Sequence, residues 1–326
     1  SLHKKNGQPY YSWEQQADNT WQRVPLDQAD NRLLGVIEGE DHFTFYYDVT
    51  LPEIEGSAEL WLPLASSNDY QTVERLTLEA PGEQQLLTDP DYGNEILHVQ
   101  LGPAHSHTTI HIAYDVVRQE KAPYTAPEPN LTPYLASTHL LPTGGRFAQL
   151  AQEALEGRDA TTPLMQARAL YDYIIDNMRY AKQGTYGTGD ADFACDSKSG
   201  NCTEFHSLFI SMARSIDLPA RFAIGAAIPS ERNEGGVNGY HCWAEFYAEG
   251  KWWPIDISEG NKYTALATYY FGHHPANRIE LSRGRNLQVS PGPVSGIPFF
   301  AYPILEVNGL ARDVKTTFSF ERHIES

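Results

Sequence analysis

Residues 240–256 read YHCWAEFYAEGKWWPID, and their alternating side chains predict two β-strands joined by a turn. Glu249-Gly250 suits the two-residue turn of a β-hairpin. With that turn, His241 and Asp256 are diagonal neighbours on one face of the hairpin. The expected separation suits a carboxylate that holds an imidazole in one tautomer. A one-residue bulge would break this pairing, so the prediction depends on the register.

A predicted amphipathic helix begins at Cys202, directly after Gly200 and Asn201. Its apolar positions lie three and four residues apart, which is the spacing of one helical face. These positions are Phe205, Leu208, Phe209, Met212, Ala213 and Ile216. In the first turn, free N–H groups and the helix dipole favour an anion, so this position favours a Cys202 thiolate. For an isolated cysteine, packing as a small apolar side chain is the more common role.

The hairpin and the helix together predict a thiol-dependent catalytic site. Strand alternation points Cys242 to the face opposite His241, so Cys202 is the thiol predicted to meet His241. A thiolate, a general base and an orienting carboxylate are the three groups that cysteine acyl-transfer chemistry requires. Cys202, His241 and Asp256 are therefore the predicted catalytic residues.

Two alternatives use some of the same residues. His206 lies four residues after Cys202 on the predicted helix and is a rival base, although such a histidine more often has a structural role. A metal site drawn from the cysteines and histidines of this region matches no standard zinc spacing. No metal ligand is therefore predicted.

Four stretches of this region resemble the transglutaminase-like superfamily, which has a papain-like catalytic core. These stretches are GNCTEF at 200–205, LPAR at 218–221, YHCWAE at 240–245 and WPID at 253–256. The resemblance implies a nucleophile at Cys202, a base at His241 and an orienting carboxylate at Asp256. Its motifs cover residues 165–260, and flanking segments resemble bacterial members with a β-sandwich ahead of the core.

The resemblance implies a thiol acyl-enzyme that forms from an amide and is released to water or to an amine. We expect a cysteine peptidase or amidase acting on a protein or peptide substrate. A protein-glutamine transglutaminase and a non-catalytic transglutaminase-like binding module are the alternatives. Animal members of the superfamily use calcium, but this sequence contains no D-x-D-x-D-G loop, so no cofactor is expected.

Other residues near the predicted triad could contact the substrate. Trp243 shares the face of His241 and is a candidate wall of the acyl pocket. The backbone N–H of Cys202 is a predicted oxyanion donor. A second donor is expected from the loop at 184–200 or from Tyr180, and the sequence does not choose between them.

Three further features are interpreted as structural. Arg221 is expected to be an ion-pair partner rather than a substrate clamp. His273-His274 precedes Pro275 and is interpreted as an exposed turn. Cys195 is interpreted as a loop thiol, and its pairing in a disulfide stays open.

Residues 42–119 alternate apolar and polar side chains in short runs separated by turn signals. This pattern predicts an antiparallel β-sandwich, and the chain as a whole is predicted to be α+β. The predicted domains are a sandwich at 1–121, a linker at 122–145, a papain-like transglutaminase core at 146–272 and a C-terminal β extension at 273–326. The extension is expected to pack on one of the domains.

Helical periodicity replaces the alternation over residues 145–180. A helix with a short apolar face comes first. The next helix is predicted to begin at Thr162, an N-cap residue that is followed by a proline at the first helical position. After it, residues 184–200 form a predicted Gly-rich loop.

The chain has 326 residues, with 42 acidic and 24 basic side chains and a formal net charge of −18. This acidity argues against nucleic acid as a partner, because nucleic-acid surfaces need clustered Lys and Arg. Three cysteines are too few for a disulfide framework, and no apolar run is long enough to span a bilayer. We expect no transmembrane segment, and an extracytoplasmic (periplasmic or secreted) location is favoured over a cytoplasmic one. The oligomeric state stays open.

Overall fold

A computed structural model describes residues 39–126 and 130–324, together with the backbone of 11–15 and 21–25. The other parts of the predicted sandwich (1–10, 16–20 and 26–38) and residues 127–129 of the predicted linker lie outside the described residues. The described chain combines helices with largely antiparallel sheets, so the predicted α+β class is confirmed. Among these residues, no helix combines the length and the apolar character needed to cross a membrane.

The strands of the described residues follow in chain order. They are β1 (Tyr11–Gln15), β2 (Trp21–Pro25), β3 (Glu40–Thr50), β4 (Ala58–Leu64), β5 (Gln71–Glu79), β6 (Glu83–Thr88), β7 (Glu95–Leu101), β8 (Thr109–Gln119), β9 (Arg179–Tyr180), β10 (Ser199–Gly200), β11 (Ala220–Ala227), β12 (Glu234–Val237), β13 (His241–Ala248), β14 (Lys251–Ile255), β15 (Arg278–Arg283), β16 (Ile304–Val307), β17 (Leu310–Arg312) and β18 (Lys315–Arg322). The α-helices of the same residues are α1 (Gly145–Leu155), α2 (Pro163–Asn177), α3 (Ala191–Ser197), α4 (Cys202–Arg214) and α5 (Ile257–Lys262).

The chain divides into two compact units, and each is assembled from separate stretches of sequence. The sandwich unit contains residues 39–119, 223–241 and 276–326. The helical unit contains residues 120–222 and 242–275, with β1 and β2. The division falls after His241, the first residue of β13, and the rest of that strand belongs to the helical unit.

The sandwich unit consists of two five-stranded antiparallel sheets. Their strand orders are β12-β18-β3-β8-β5 and β17-β16-β4-β7-β6. Buried side chains from both sheets form one apolar core, to which β3 contributes Phe43, Phe45, Tyr47 and Val49. These alternate positions are the ones that the period-two pattern predicts to point inward. Strands from residues 276–326 pair with β3 and β4, so the end of the chain completes both sheets.

Strands β5 and β6 form one edge of each sheet, and the alternating pattern does not indicate them. Most residues of Gln71–Glu79 and Glu83–Thr88 are exposed or half-buried. An edge strand that is exposed on one face needs few apolar residues, so its sequence carries little alternation. The pairing of these strands with β8 and β7 therefore becomes visible only in the structure.

Helices α2 and α4 of the helical unit begin at the residues that the sequence predicts. The Thr162 hydroxyl accepts a hydrogen bond from the backbone N–H of Met165 at 3.2 Å, and Pro163 occupies the first turn of α2. Helix α4 ends at Arg214, and its apolar face is fully buried. Helix α3 lies inside the segment that was predicted to be a Gly-rich loop, and Asp190 caps it through a hydrogen bond from Asp192 N at 2.9 Å.

A short extended segment at the start of the predicted linker pairs with other parts of the helical unit. Lys121 forms an antiparallel bridge with His274, and Tyr124 forms one with Trp252. The two backbone hydrogen bonds between Tyr124 and Trp252 measure 3.0 and 2.8 Å. This segment therefore satisfies backbone groups of the hairpin strand β14 that would otherwise need water.

Candidate active site

Helix α4 places Cys202 at its first position. The side-chain oxygen of Asn201 accepts a hydrogen bond from Thr203 N at 2.9 Å, and the carboxylate of Glu204 accepts one from Asn201 N at 3.0 Å. This reciprocal capping box fixes the start of the helix. The buried Cys202 side chain therefore lies at the positive end of the helix dipole, as predicted.

Glu204 connects this helix start to the Gly-rich segment before it. Its second carboxylate oxygen accepts a hydrogen bond from the backbone N–H of Gly187. A Cβ atom at Gly200 would lie 2.4 Å from the Cβ of Glu204, so only glycine fits at that position. Burial raises the pKa of the Glu204 carboxyl, while its hydrogen bonds from Asn201 and Thr203 oppose the shift.

The β13–β14 hairpin has the register that the sequence predicts. Its pairs run from Ala244 with Ile255 to Ala248 with Lys251, with no bulge between them. The turn residues Glu249 and Gly250 both have positive φ, 54° and 73°, as a tight hairpin turn requires. Continuation of this register sets the two predicted hairpin site residues on one face.

The two faces of β13 have different neighbours. The Cys242 sulfur lies 3.8 Å from Nδ1 of His206, so that face is directed toward α4. Trp243 points the other way, and its ring centroid lies 4.5 Å from that of His274. The predicted alternation along β13 is therefore present in the structure. A contact between Cys202 and His241 stays a prediction.

Asp256 ends the hairpin and caps α5. One carboxylate oxygen accepts hydrogen bonds from Glu259 N and Ser258 Oγ, both at 3.3 Å. The other oxygen lies 3.2 Å from Nε2 of His274. The donor and acceptor atoms of His241, Asp256 and His274 lie within 4.8 Å of one another, and all three residues are buried. The structure thus brings the predicted base and orienting carboxylate together and adds a second histidine.

The prediction of an exposed turn at His273-His274 is wrong for His274, which is completely buried. Its backbone N–H and carbonyl are each hydrogen-bonded to Lys121 at 2.8 Å. The residues that bury it, such as Lys121 and Trp243, come from distant parts of the sequence. The neighbouring Pro275, which suggested an exposed turn, therefore did not indicate its burial.

His206 is held in a structural arrangement. Its Nδ1 lies 2.7 Å from the carbonyl oxygen of Cys202, and its Nε2 accepts a hydrogen bond from Ile257 N at 3.0 Å. A carbonyl can only accept, so the proton is on Nδ1 and the imidazole is neutral. With both ring nitrogens used in this way, His206 links α4 to α5 and is poorly suited to act as a base.

Several charged or titratable groups surround Cys202. Burial raises the pKa of Cys242 well above its ordinary value, and the hydrogen bond and charge of Cys202 raise it further. Burial and the charge of Cys202 raise the pKa of Tyr180 to about 12, against the opposing effect of Lys262. The Lys262 ammonium lies 4.0 Å from the centroid of the Tyr180 ring. The Tyr180 hydroxyl therefore stays protonated at neutral pH.

Cys195 is not the loop thiol that the sequence predicted, because it lies in α3 and is buried. All three cysteines are free thiols in the structure. Trp243 is also completely buried, and its role as a wall of the acyl pocket stays a prediction.

Arg221 is an ion-pair partner, as expected. Its guanidinium lies 2.9 Å from Glu245 and 3.7 Å from the ring centroid of Trp252. Glu245 is buried and also contacts Lys121 at 3.0 Å and the hydroxyl of Tyr124 at 2.9 Å. Burial disfavours the ionised Glu245, but the two cations outweigh it and lower the pKa of its carboxyl to about 2. The ion pair between Arg221 and Glu245 therefore joins the LPAR stretch at 218–221 to strand β13 of the hairpin.

Two groups among the described residues have donor atoms close enough to bind one metal ion. They are His241, Asp256 and His274 in the candidate active site, and His42, Asp115 and His323 in the sandwich unit. Imidazole and carboxylate ligands suit zinc and similar transition metals. In each group one histidine is already hydrogen-bonded to the carboxylate, His274 to Asp256 at 3.2 Å and His42 to Asp115 at 2.8 Å.

The model of the transglutaminase-like superfamily matches residues 148–257. An uncharacterized protein of Haemophilus influenzae is 26% identical over 318 residues, covering 82% of this chain and 85% of that protein. A structure provisionally described as a cysteine protease from Cytophaga hutchinsonii covers 87% of this chain and 98% of its own, with 14% identity and a TM-score of 0.56. The periplasmic domain of TgpA from Pseudomonas aeruginosa covers 69% and 92%, with 15% identity and a TM-score of 0.36.

Proposed function

We propose that the chain is a cysteine-dependent hydrolase of amide bonds in proteins or peptides, since residues 148–257 match the model of the transglutaminase-like superfamily. The observation that carries this proposal is the buried pair of His241 and Asp256, together with Cys202 at the start of a capped helix. These are the base, the orienting carboxylate and the nucleophile of cysteine acyl transfer. A binding module would have no need to retain all three groups.

In the proposed mechanism, the Cys202 sulfur attacks the carbonyl carbon of an amide after His241 has taken the thiol proton. The new S–C bond forms as the carbonyl π electrons move to oxygen. His241 then gives the proton to the leaving nitrogen, the C–N bond breaks and a thioester remains. Water attacks the thioester with His241 as base, which releases an acid and restores the thiol. Asp256 orients His241 and stabilises its protonated form.

The developing oxyanion needs donors that are already in place before the reaction. The backbone N–H of Cys202, in the first turn of α4, is the first proposed donor. Tyr180 is the second, because its hydroxyl stays protonated at neutral pH and is electrostatically coupled to Cys202. The residues at 184–200 are the alternative source of a donor. One of their backbone N–H groups, that of Gly187, already donates a hydrogen bond to Glu204.

Selective alkylation of Cys202 would test the proposed thiolate. Iodoacetamide at low concentration near neutral pH should label Cys202 well before Cys195 and Cys242, as measured by peptide mass mapping. Exposure does not predict this order, because Cys195 is 9% exposed, Cys202 3% and Cys242 0%. Faster labelling of Cys195, or equal labelling of all three, would contradict the proposal. Cys195→Ala is the matched control and should leave the labelling of Cys202 unchanged.

The fate of the acyl group separates hydrolysis from cross-linking. A library of glutamine-containing peptides is incubated with the protein, with and without a primary amine, and the products are weighed. Cleaved or deamidated products that form equally with and without the amine are expected. Amine adducts would instead identify a transglutaminase, and Cys202→Ala should abolish either product.

A further inference from the structure

We propose that His274 is a positioning residue of this site, which holds the Asp256 carboxylate in the ionised state and orientation that His241 requires. This inference rests on the proposed function, since it assigns a role to Asp256 as partner of His241. It extends that function because His274 lies in none of the four stretches that resemble the superfamily. It also lies outside residues 148–257, which the family model matches.

The two oxygens of Asp256 are held by different parts of the helical unit. Oδ1 accepts from Ser258 Oγ and Glu259 N, which belong to the first turn of α5. Oδ2 is 3.2 Å from Nε2 of His274, which lies beyond the end of that helix. With both oxygens held, the plane of the carboxylate is fixed relative to β13. The orientation of Asp256 toward His241 therefore depends on His274.

His274 is itself held rigidly. Two antiparallel backbone hydrogen bonds of 2.8 Å join it to Lys121, and its ring packs against Trp243 with a centroid distance of 4.5 Å. Its side chain has no solvent exposure. Because both its backbone and its ring are held in place, the imidazole of His274 keeps one orientation. The direction of its hydrogen bond to Asp256 is therefore also fixed. This is the support that a catalytic carboxylate needs from its surroundings.

Electrostatics give the same role to His274. Asp256 is completely buried, and a buried carboxylate ionises only where enough donors face it. The other titratable groups near it are Tyr171 from α2, and His241 and Cys242 from β13. Negative charge on Tyr171 or Cys242 would oppose ionisation. His274 can donate a hydrogen bond from Nε2 to Oδ2 of Asp256. Asp256 is then stabilised by a residue other than His241, so His241 can still act as the proposed base.

The test uses the alkylation rate of Cys202 as a function of pH, because that rate reports the thiolate without any substrate. A thiolate–imidazolium pair gives a plateau that extends well below the ordinary thiol pKa of about 8.5. His274→Phe keeps the ring and its packing on Trp243 but removes the donor. We expect the Cys202 rate at pH 7 to fall at least tenfold and the profile to approach that of an ordinary thiol, because a thiol with a pKa of about 8.5 is only about 3% ionised at that pH.

His274→Gln is the matched variant, because its side-chain amide keeps an N–H donor. It should recover most of the plateau that His274→Phe loses. A purely structural role would lower the melting temperature of both variants while leaving the pH profile unchanged, and that result would overturn the inference. If the wild-type Cys202 shows no selective labelling, the proposed function fails instead, so the two failures are distinguishable.

A measurement on the wild-type protein keeps the inference testable if His274→Phe does not fold. Long-range ¹H–¹⁵N NMR spectra distinguish the two imidazole tautomers, and loss of one ring signal in His274→Gln assigns the resonance. We expect His274 to carry a proton on Nε2 at neutral pH, because an ionised carboxylate can only accept. A His274 ring with Nε2 unprotonated could not donate to Asp256 and would disprove the inference.

Discussion

Two histidine–aspartate clusters with the same composition lie in very different surroundings. His42, Asp115 and His323 of the sandwich unit have side chains that are 41%, 27% and 43% exposed. His241, Asp256 and His274 are all buried, the last two completely. In the exposed cluster, water solvates each charge and the ion pairs contribute little. In the buried cluster, hydrogen bonds within the protein replace those that the groups would make to water. Because the local dielectric is low, each partner strongly affects the protonation and orientation of the others.

The residue types alone do not distinguish the two clusters. The exposed cluster has close contacts, with His42 Nε2 2.8 Å from Asp115 and the two imidazole rings stacked at 4.1 Å. Its side chains are partly exposed, so competing water weakens each bond. The buried cluster differs in having a carboxylate with hydrogen-bond partners on both oxygens and a histidine ring packed against Trp243.

The largest difference between the clusters should appear in the chemical step. In the proposed mechanism Asp256 stabilises protonated His241, so we expect Asp256→Asn to lower the rate of peptide hydrolysis by about 10²–10⁴-fold. Asp115→Asn is the matched substitution in the exposed cluster and should change the rate less than twofold. Initial rates of product formation measure both. Equal effects of the two substitutions would remove the functional distinction between the clusters.

A second test compares a buried carboxylate with exposed ones through acid unfolding. The folded-state pKa of Glu245 is lowered to about 2 from an ordinary value of 4.5. Its ionised form therefore stabilises the protein above pH 4.5, and this contribution is lost as the pH falls toward 2. At pH 7 it amounts to about 3 kcal/mol in the free energy of unfolding.

Glu245→Gln should therefore be destabilised near neutral pH, with a difference from wild type that shrinks in acid. Denaturant unfolding followed at a series of pH values measures this difference. Glu55→Gln is the control, because Glu55 pairs with Arg312 on the surface. A constant effect of Glu245→Gln across the pH range would contradict the assignment of a lowered pKa to this carboxyl.

The smallest effect is expected for the stability of the exposed cluster. Asp115→Asn should reduce the free energy of unfolding by about 0–1 kcal/mol at low ionic strength. In about 1 M salt the Debye length is near 3 Å, so the difference from wild type should largely disappear. Chemical denaturation at both salt concentrations measures the effect. A larger loss that persists in high salt would show that this cluster behaves like the buried one.

The elements with local signals were predictable from the sequence. The Thr162 cap, the apolar face of α4 and the turn at Glu249-Gly250 all depend on residues within a few positions of one another. The core strands β3, β4, β7 and β8 were visible because each contributes alternate apolar side chains to the core of the sandwich. The exposed strands β5 and β6 and the short helix α3 were missed, since a mostly exposed edge strand needs little alternation and seven residues make too short a periodic pattern.

Local sequence patterns predicted the position of Cys202 at the start of its helix and the face of the hairpin that carries His241 and Asp256. Capping hydrogen bonds and hairpin register are short-range interactions, so they are encoded by neighbouring residues. Long-range packing buries His274 against Asp256 and gives both ring nitrogens of His206 a partner. It also brings the C-terminal strands into both sheets of the sandwich. These features depend on the burial of groups far apart in sequence, which no local pattern records.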